Sequence, residues 1–163
     1  MLYLELLFQG IVQGSIYALI ALGLTLVYGL LRILHVAHAA LFTLGGYLGV
    51  IVTNATGSFL LATAVAMIVV GFVGIAVYKL AYEPLLSKPP FISLIASIAL
   101  FIASEEIFRI IFGPYGLSYT NPPMQGYFEL FGGFFLKYGE ALVIALSVVM
   151  LVILGWFAAN TRL

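Results

Sequence analysis

Two short clusters of ionisable side chains interrupt a sequence that is otherwise almost entirely apolar. The first cluster contains Arg32, His35 and His38, within LLRILHVAHAALFTLGGYLG. Histidine changes charge near neutral pH, so such a pair can carry protons, bind a metal or line a polar path. A metal site is disfavoured because no Asp, Cys or third His lies nearby. Two alternatives remain: interfacial histidines bonded to carbonyl groups or water, and a role in a pathway or gate.

The second cluster contains Glu105, Glu106 and Arg109, within FIASEEIFRIIFG. On a helix Arg109 lies one turn from both carboxylates, so it can neutralise either of them. We predict an intramembrane ion pair near the outer end of the fourth span, packed inside the helix bundle. The sequence contains no nucleophile–base pair, phosphate-binding loop, zinc motif or dinucleotide fingerprint. No catalytic residue, metal site or cofactor is therefore predicted, and the chain is not expected to be an enzyme.

The composition is typical of a membrane protein. Of the 163 residues, 64% are hydrophobic and 7% are charged, whereas soluble domains are about half apolar and about a quarter charged. The formal net charge is zero, which gives no electrostatic basis for binding nucleic acid. The sequence contains no cysteine, which excludes disulfides, thiolate metal sites and cysteine nucleophiles.

Five apolar runs are long enough to cross a bilayer, which takes about 20 residues of helix. The sequence therefore predicts an all-α integral membrane protein with a single transmembrane domain over residues 1–163. The predicted spans are approximately residues 11–31, 33–53, 57–78, 91–112 and 141–159. No basic region precedes the first run, which continues into the second, so we interpret it as a retained span and not as a cleaved signal peptide.

The chain must reverse between the first two spans. A single helix over residues 11–53 would be about 65 Å long, roughly twice the thickness of the hydrocarbon core. Gly29 and Arg32 are the residues in this run that favour a break, so His35 and His38 are expected in the first turns after it. Backbone groups freed at the break must lie at the interface, be packed in protein or line a wet cavity, because lipid offers them no partners.

Helical spacing places small and polar residues together on one side of each of the first two spans. In the second span these are His35, His38, Phe42, Gly45, Gly46 and Gly49. In the first span they are Gly10, Gly14, Ala18, Ala21 and Thr25. Glycines in a membrane helix permit close approach of another helix or widen a path. For the first span we expect mainly helix packing, and the alternative is a surface that also borders a substrate path.

Basic residues predict the orientation, because short loops rich in Lys and Arg face the cytoplasm. With the N-terminus outside, only Lys137 falls in an outer connection. The basic residues on the cytoplasmic side are then Arg32, Lys79, Lys88 and Arg162. We therefore predict a multi-pass protein of the cell (inner or plasma) membrane, with the N-terminus outside and the C-terminus in the cytoplasm. Residues 79–90 are then cytoplasmic, and residues 113–140 form an extracytoplasmic segment.

The stretch GSIYALIALGLTLVYGLLRILHVAHAALFTLGGY closely resembles the permease subunits of branched-chain amino acid ABC importers. The resemblance continues in YEPL at residues 82–85, in IASIALFI at residues 95–102, and in Arg109 followed by FGP at residues 112–114. It implies a permease subunit that forms part of the translocation path for branched-chain or related small amino acids. The partners that it implies are ATP-binding subunits, a second permease subunit or second-half chain, an extracytoplasmic solute-binding protein and the lipid bilayer.

The substrate-path candidates come from the first two spans. They are Ser15, Tyr17, Thr25, His35, His38, Thr43, Gly45, Gly46 and Tyr47. The sequence departs from the family at His35, Ala39 and Ala40, where the family usually has Asn, Gly and an acidic residue, so the substrate stays open. Family members are longer, and the chain is expected to correspond to their N-terminal half. The alternatives are the permease of an amide or urea importer, and a stand-alone small helical channel or structural subunit.

Overall fold

A computed structural model describes residues 2–31, 33–130 and 134–160. The long helices in this part of the chain are α1 (Leu2–Leu31), α2 (His38–Thr56), α3 (Phe59–Val77), α4 (Pro90–Phe112) and α5 (Tyr138–Asn160). Each contains a stretch that is long and apolar enough to cross a membrane, by length and composition. The predicted helical membrane class with about five spans is therefore confirmed.

The predicted interruption between the first two helices is also present, but α2 begins later than expected. Residues 33–35 have no regular secondary structure, residues 36–37 form a turn, and His38 is the first residue of α2. No side chain caps this helix. Instead, the carbonyl groups of the three preceding residues accept hydrogen bonds from the N–H groups of His38, Ala39 and Ala40, at 3.0 to 3.2 Å. These bonds satisfy donors that a helix start leaves free, and they leave His35 outside the helix.

Residues Leu30–Pro123 form one compact unit, in which α2 packs mainly against α3 and also contacts α4. Gly57 ends α2 in the left-handed conformation, with φ of 70°, which glycine adopts without a Cβ clash. Ser58 precedes α3, and its hydroxyl oxygen accepts a hydrogen bond from the Leu61 N–H group, as is typical of a helix start. This two-residue connection makes α2 and α3 neighbours.

The connection between α3 and α4 buries one tyrosine, Tyr82, in the interior of this unit. Tyr78–Tyr82 form a π-helical turn, and Glu83–Leu85 form a 3₁₀ turn. The Tyr82 side chain at the end of the π turn is only 3% exposed. Pro90 then begins α4, at a position where the helix needs no N–H donor.

Buried positions in this unit are occupied mainly by small residues. Ala62 and Ser97 are fully buried, whereas Leu60 and Ile110 are 83% and 81% exposed. In a membrane, small residues permit close helix approach, and hydrocarbon chains solvate large apolar side chains as well as other side chains do. The exposed apolar surface is therefore what a set of membrane-spanning helices requires.

Met1–Gly29 and Met124–Leu163 form the second compact unit, which contains most of α1 together with α5 and a hairpin. Strands β1 (Tyr127–Leu130) and β2 (Phe134–Lys137) pair antiparallel, with Tyr127 opposite Lys137. The Tyr127 and Phe135 rings meet edge to face at 4.8 Å. The hairpin is an addition to the sequence prediction, which gives residues 113–140 only as an extracytoplasmic segment.

Candidate functional site

His35 lies in a buried polar cluster with two residues that the sequence analysis does not select. Its Nδ1 atom lies 2.6 Å from the Tyr82 hydroxyl oxygen. Ser97 forms a side-chain hydrogen bond with Tyr82, and its Oγ accepts a hydrogen bond from the Ala37 N–H group at 3.1 Å. The His35, Tyr82 and Ser97 side chains are 8%, 3% and 0% exposed. We call these three residues the buried cluster.

The hydrogen bonds of the buried cluster have one consistent direction. The Ala37 N–H group can only donate, so Ser97 Oγ accepts from it, and the Ser97 hydroxyl proton remains available to the Tyr82 oxygen. A Tyr82 hydroxyl that donates its proton to His35 Nδ1 completes this direction, and Nδ1 is then unprotonated. Burial lowers the pKa of His35, and the nearby His38 lowers it further. Both effects favour a neutral imidazole, which can accept this proton at Nδ1.

His38 lies in a groove between α2 and α3, which we call the α2–α3 groove. Its volume is about 510 Å³. The α2 residues that line it are His38, Leu41, Phe42, Gly45, Gly46 and Gly49. Thr63, Met67 and Val70 line it from α3, and Tyr119 lines it from the segment after α4. Helical spacing thus identifies this face of α2 from His38 onwards, whereas His35 is not part of it.

Thr43 and Tyr47 lie instead at a smaller pocket between α2 and α4, which we call the α2–α4 pocket. Its volume is about 150 Å³. The α4 residues that line it are Phe101, Glu105, Phe108 and Arg109. The Tyr47 ring stacks on Phe112 with the ring centres 4.1 Å apart, so this pocket residue of α2 packs against an aromatic ring of α4. The structure therefore brings two of the path candidates together with two members of the charged cluster.

Within the charged cluster, Arg109 pairs with Glu106 and not with Glu105. The Arg109 Nη1 atom lies 3.1 Å from Glu106 Oε1, and the two side chains are 62% and 55% exposed. The described part of the chain therefore does not enclose the pair, contrary to the sequence expectation. Glu105 lines the α2–α4 pocket and has no ion-pair partner among the described residues. The predicted group consists of one exposed pair and one separate carboxylate.

The remaining candidates, Ser15, Tyr17 and Thr25, lie on α1. Ser15 and Thr25 each donate a side-chain hydrogen bond to a carbonyl of their own helix at 2.8 Å. The Ser15 carbonyl accepts a hydrogen bond from Ser147 Oγ of α5 at 3.0 Å, and Tyr17 is exposed. A Cβ placed on Gly10 or Gly14 would meet nothing within 4 Å. The small-residue side of α1 is therefore open at these glycines.

Asn54 is a further residue that the sequence analysis does not select. Its Nδ2 donates to the Ser118 carbonyl at 3.1 Å, and its Oδ1 accepts from the Thr120 N–H group at 2.9 Å. These bonds hold the segment after α4 against the end of α2 and place Tyr119 at the groove. No local sequence signal connects residues that lie 64 and 66 positions apart.

With this geometry established, the comparisons with known proteins identify the family. Residues 6–163 match the model of a family described as branched-chain amino acid transport system, permease component. The chain belongs to this family.

Among the described residues, no group of three or more His, Cys, Asp or Glu could hold a metal ion.

Three curated relatives each match part of this chain with part of their own sequence. The high-affinity branched-chain amino acid transport system permease protein LivH of Escherichia coli (strain K12) is 31% identical over an alignment of 109 residues, and the alignment covers 61% of this chain and 35% of that protein. BraD of Pseudomonas aeruginosa, with the same description, is 33% identical over 61% of this chain and 36% of its own length. LivH of Salmonella typhimurium is 29% identical over 61% of this chain and 35% of its own length. The chain therefore spans about a third of the length of these relatives, and no solved structure matches it.

Proposed function

We propose that the chain is a permease component of an ABC importer for branched-chain amino acids and forms part of the membrane path of the substrate. The observation that carries this proposal is the family match over residues 6–163. The relatives named LivH and BraD are described as permeases of high-affinity branched-chain amino acid transport. As a transport subunit, the chain needs no catalytic residue of its own.

The α2–α3 groove supports a role in the path. Three candidates, His38, Gly45 and Gly46, line it, and most of its other lining residues are apolar. Such a surface favours the aliphatic side chain of a branched-chain amino acid, because each buried CH₂ group contributes about 0.8 kcal/mol. At Gly45 and Gly46 the α2 wall of the groove carries no side chain, which leaves room for a solute at these positions.

We further propose that the N-terminus is outside and the C-terminus is in the cytoplasm. Lys79 and Lys88 support this orientation, since both are exposed in the connection between α3 and α4 and basic residues mark cytoplasmic loops. Arg32 and Arg162, which also entered the prediction, lie outside the described residues. The proposed partners are ATP-binding subunits in the cytoplasm, a second permease subunit or second-half chain, and an extracytoplasmic solute-binding protein.

Uptake into proteoliposomes tests the function. The permease is reconstituted with its ATP-binding subunits and its solute-binding protein, and uptake of labelled leucine is measured with and without ATP. We expect ATP-dependent leucine uptake that excess isoleucine or valine suppresses and that urea or acetamide does not. Transport of urea or acetamide in place of leucine would identify the amide or urea importer. Solute flux through the chain alone, without ATP or partners, would instead identify a channel.

Single cysteines test the orientation, because the parent chain contains none. Ser87→Cys lies in the proposed cytoplasmic connection and Ser118→Cys in the proposed outer segment, and both positions are exposed. In intact cells, a membrane-impermeant thiol reagent should label position 118 and leave position 87 unlabelled until the cells are opened. The reverse pattern contradicts the proposed orientation.

A further inference from the structure

The α2–α4 pocket combines an acidic, a basic and a hydroxyl side chain within about 150 Å³. These are Glu105, Arg109 and Thr43. Three aromatic residues and three small or apolar residues supply the remaining walls: Tyr47, Phe101, Phe108, Ala40, Gly113 and Pro114. The volume corresponds to about five molecules of liquid water, at roughly 30 Å³ each. It is well below the 300 Å³ or more of a typical pocket for a drug-sized ligand, given as a rough figure. The pocket therefore suits a small polar solute or the polar part of one.

The charges of the pocket are available to a ligand. Glu105 and Arg109 lie four residues apart on α4, a rise of about 6 Å along the helix axis. Arg109 contacts Glu106 through Nη1, and a guanidinium group has further N–H donors that one such contact does not use. Glu105 has no ion-pair partner in the described part of the chain. The pocket is thus lined both by a carboxylate without an ion-pair partner among the described residues and by a guanidinium with spare donors.

We propose that the α2–α4 pocket binds the zwitterionic headgroup of the imported amino acid. This inference rests on the proposed function and specifies where the permease holds the charges of its substrate. Arg109 donates N–H bonds to the α-carboxylate, and Glu105 accepts N–H bonds from the α-ammonium group. The Thr43 hydroxyl can donate to the carboxylate or accept from the ammonium group. An amino acid presents both charges on one carbon atom, which matches a site that offers both partners within one helical turn.

The α2–α3 groove cannot replace the pocket in this role. Its polar lining residues are His38, Thr63 and Tyr119, which provide neither a carboxylate nor a permanent cation. A headgroup held there would lose its hydration without gaining a charged partner, which is costly in an apolar site. The groove and the pocket both use α2, since Gly45 and Gly46 line the first, and Thr43 and Tyr47 line the second. The headgroup pocket and an apolar groove therefore lie along the same helix.

Direct binding tests the inference. Labelled leucine is titrated onto the purified permease assembled with its ATP-binding subunits, without the solute-binding protein. Glu105→Gln and Arg109→Gln should each weaken leucine binding by about tenfold or more, because each removes one charge-assisted contact. The matched controls are Glu83→Gln and Lys88→Gln, which remove exposed charges from the connection before α4 and should leave binding unchanged.

A second readout does not depend on how much of a variant folds. In each preparation, leucine competes with 4-methylpentanoate, which has the same carbon skeleton and carboxylate but no ammonium group. The parent should prefer leucine by about tenfold or more, and Glu105→Gln should lose this preference. Three results would each overturn the headgroup pocket and leave the proposed function intact. The first is parent-like affinity in Glu105→Gln and Arg109→Gln, and the second is an unchanged preference in Glu105→Gln. The third is that a parent that imports leucine shows no leucine binding. If the parent imports no amino acid, the proposed function fails, and this inference fails with it.

Discussion

The buried cluster and the α2–α4 pocket both use polar residues on the same side of α4, but these residues differ in their exposure and in their bonding partners. Ser97 contacts the backbone just before α2, and Glu105 and Arg109 line a pocket together with α2 residues, so all three lie on the side of α4 that faces α2. At Ser97 the polar atoms are excluded from solvent and hydrogen-bonded to Tyr82 and the Ala37 backbone. At Glu105 the carboxylate is exposed and has no ion-pair partner among the described residues.

This difference separates polar groups that hold the chain together from those that are available to a ligand. Removing one partner from a buried, satisfied network strands the others, at a cost of about 1 to 3 kcal/mol for each group. An exposed charge can be removed with little effect on folding. We therefore expect variants of the buried cluster to change the stability of the protein, and variants of the pocket to change ligand binding. The predictions below test this division.

Ser97→Leu should have the largest effect. Ser97 is fully buried between α4 and the start of α2, so a leucine there overpacks the contact, at about 1 to 3 kcal/mol, and removes a hydrogen-bond partner of both Ala37 and Tyr82. We expect a strong loss of folded protein, measured as the monodisperse fraction in detergent. Ala99→Leu, on the exposed side of the same helix, is the control and should fold like the parent. Equal yields from both variants would mean that the cluster is not tightly packed.

Tyr82→Phe should have the next largest effect, because it removes one oxygen atom and keeps the ring. His35 Nδ1 loses its donor, and Ser97 loses its acceptor. We expect a destabilisation of about 1 to 3 kcal/mol, measured by denaturant unfolding in detergent. Tyr78→Phe, at the start of the same π turn, is the matched control. If Tyr82→Phe also abolished leucine binding in protein that remained folded, the cluster would serve the ligand as well, and the division between the two regions would fail.

Sequence alone predicts the helices well because their signal is local. Apolar runs of membrane-spanning length predicted five helices, and all five are present. Helical spacing grouped His38, Phe42, Gly45, Gly46 and Gly49, and all of them line the α2–α3 groove. These inferences need only the period of the helix and the thickness of the bilayer.

The partners of the polar residues could not be predicted in the same way. His35 was assigned to the helical face because the start of α2 was unknown, and that start depends in part on a bond from Ala37 to Ser97, 60 residues away. Tyr82 belongs to the family-like stretch YEPL, but nothing in the sequence indicates its contact with His35, because a tyrosine at a membrane boundary is common. For Arg109, helical spacing allowed both Glu105 and Glu106 as partners. The choice depends on side-chain conformations, which spacing does not specify.

Acidic pH should weaken the buried cluster by protonating His35. Burial and the nearby His38 lower the pKa of His35 in the folded chain, so below the ordinary value of about 6.5 the unfolded chain takes up the proton more readily. The stabilising contribution is therefore complete above that value and is lost as the pH falls through the lowered pKa of the folded state.

The measurement compares how stability changes between neutral and mildly acidic pH in the parent and in His35→Asn, which carries the residue that is usual in the family. The variant should lose less stability than the parent, because its amide does not titrate. Both proteins are compared in a His38→Asn background, because His38 interacts with His35 and its own titration would otherwise differ between them. Identical pH dependence in the two proteins would show that His35 does not titrate within the cluster.

Glu106→Gln should have the smallest effect on stability. Its ion pair with Arg109 joins two side chains that are more than half exposed, and exposed pairs at this helical spacing contribute at most about 0.5 kcal/mol. Thermal unfolding in detergent should therefore agree with that of Glu129→Gln, a control in the exposed strand β1. The substitution also frees Arg109 from its partner, so leucine binding should persist or strengthen, in contrast to its loss in Arg109→Gln. If Glu106→Gln instead destabilised the protein as much as Tyr82→Phe, the pair would be enclosed in the assembled permease. Arg109 would then hold the helices together, as the sequence alone suggests, and would have no donors free for a substrate.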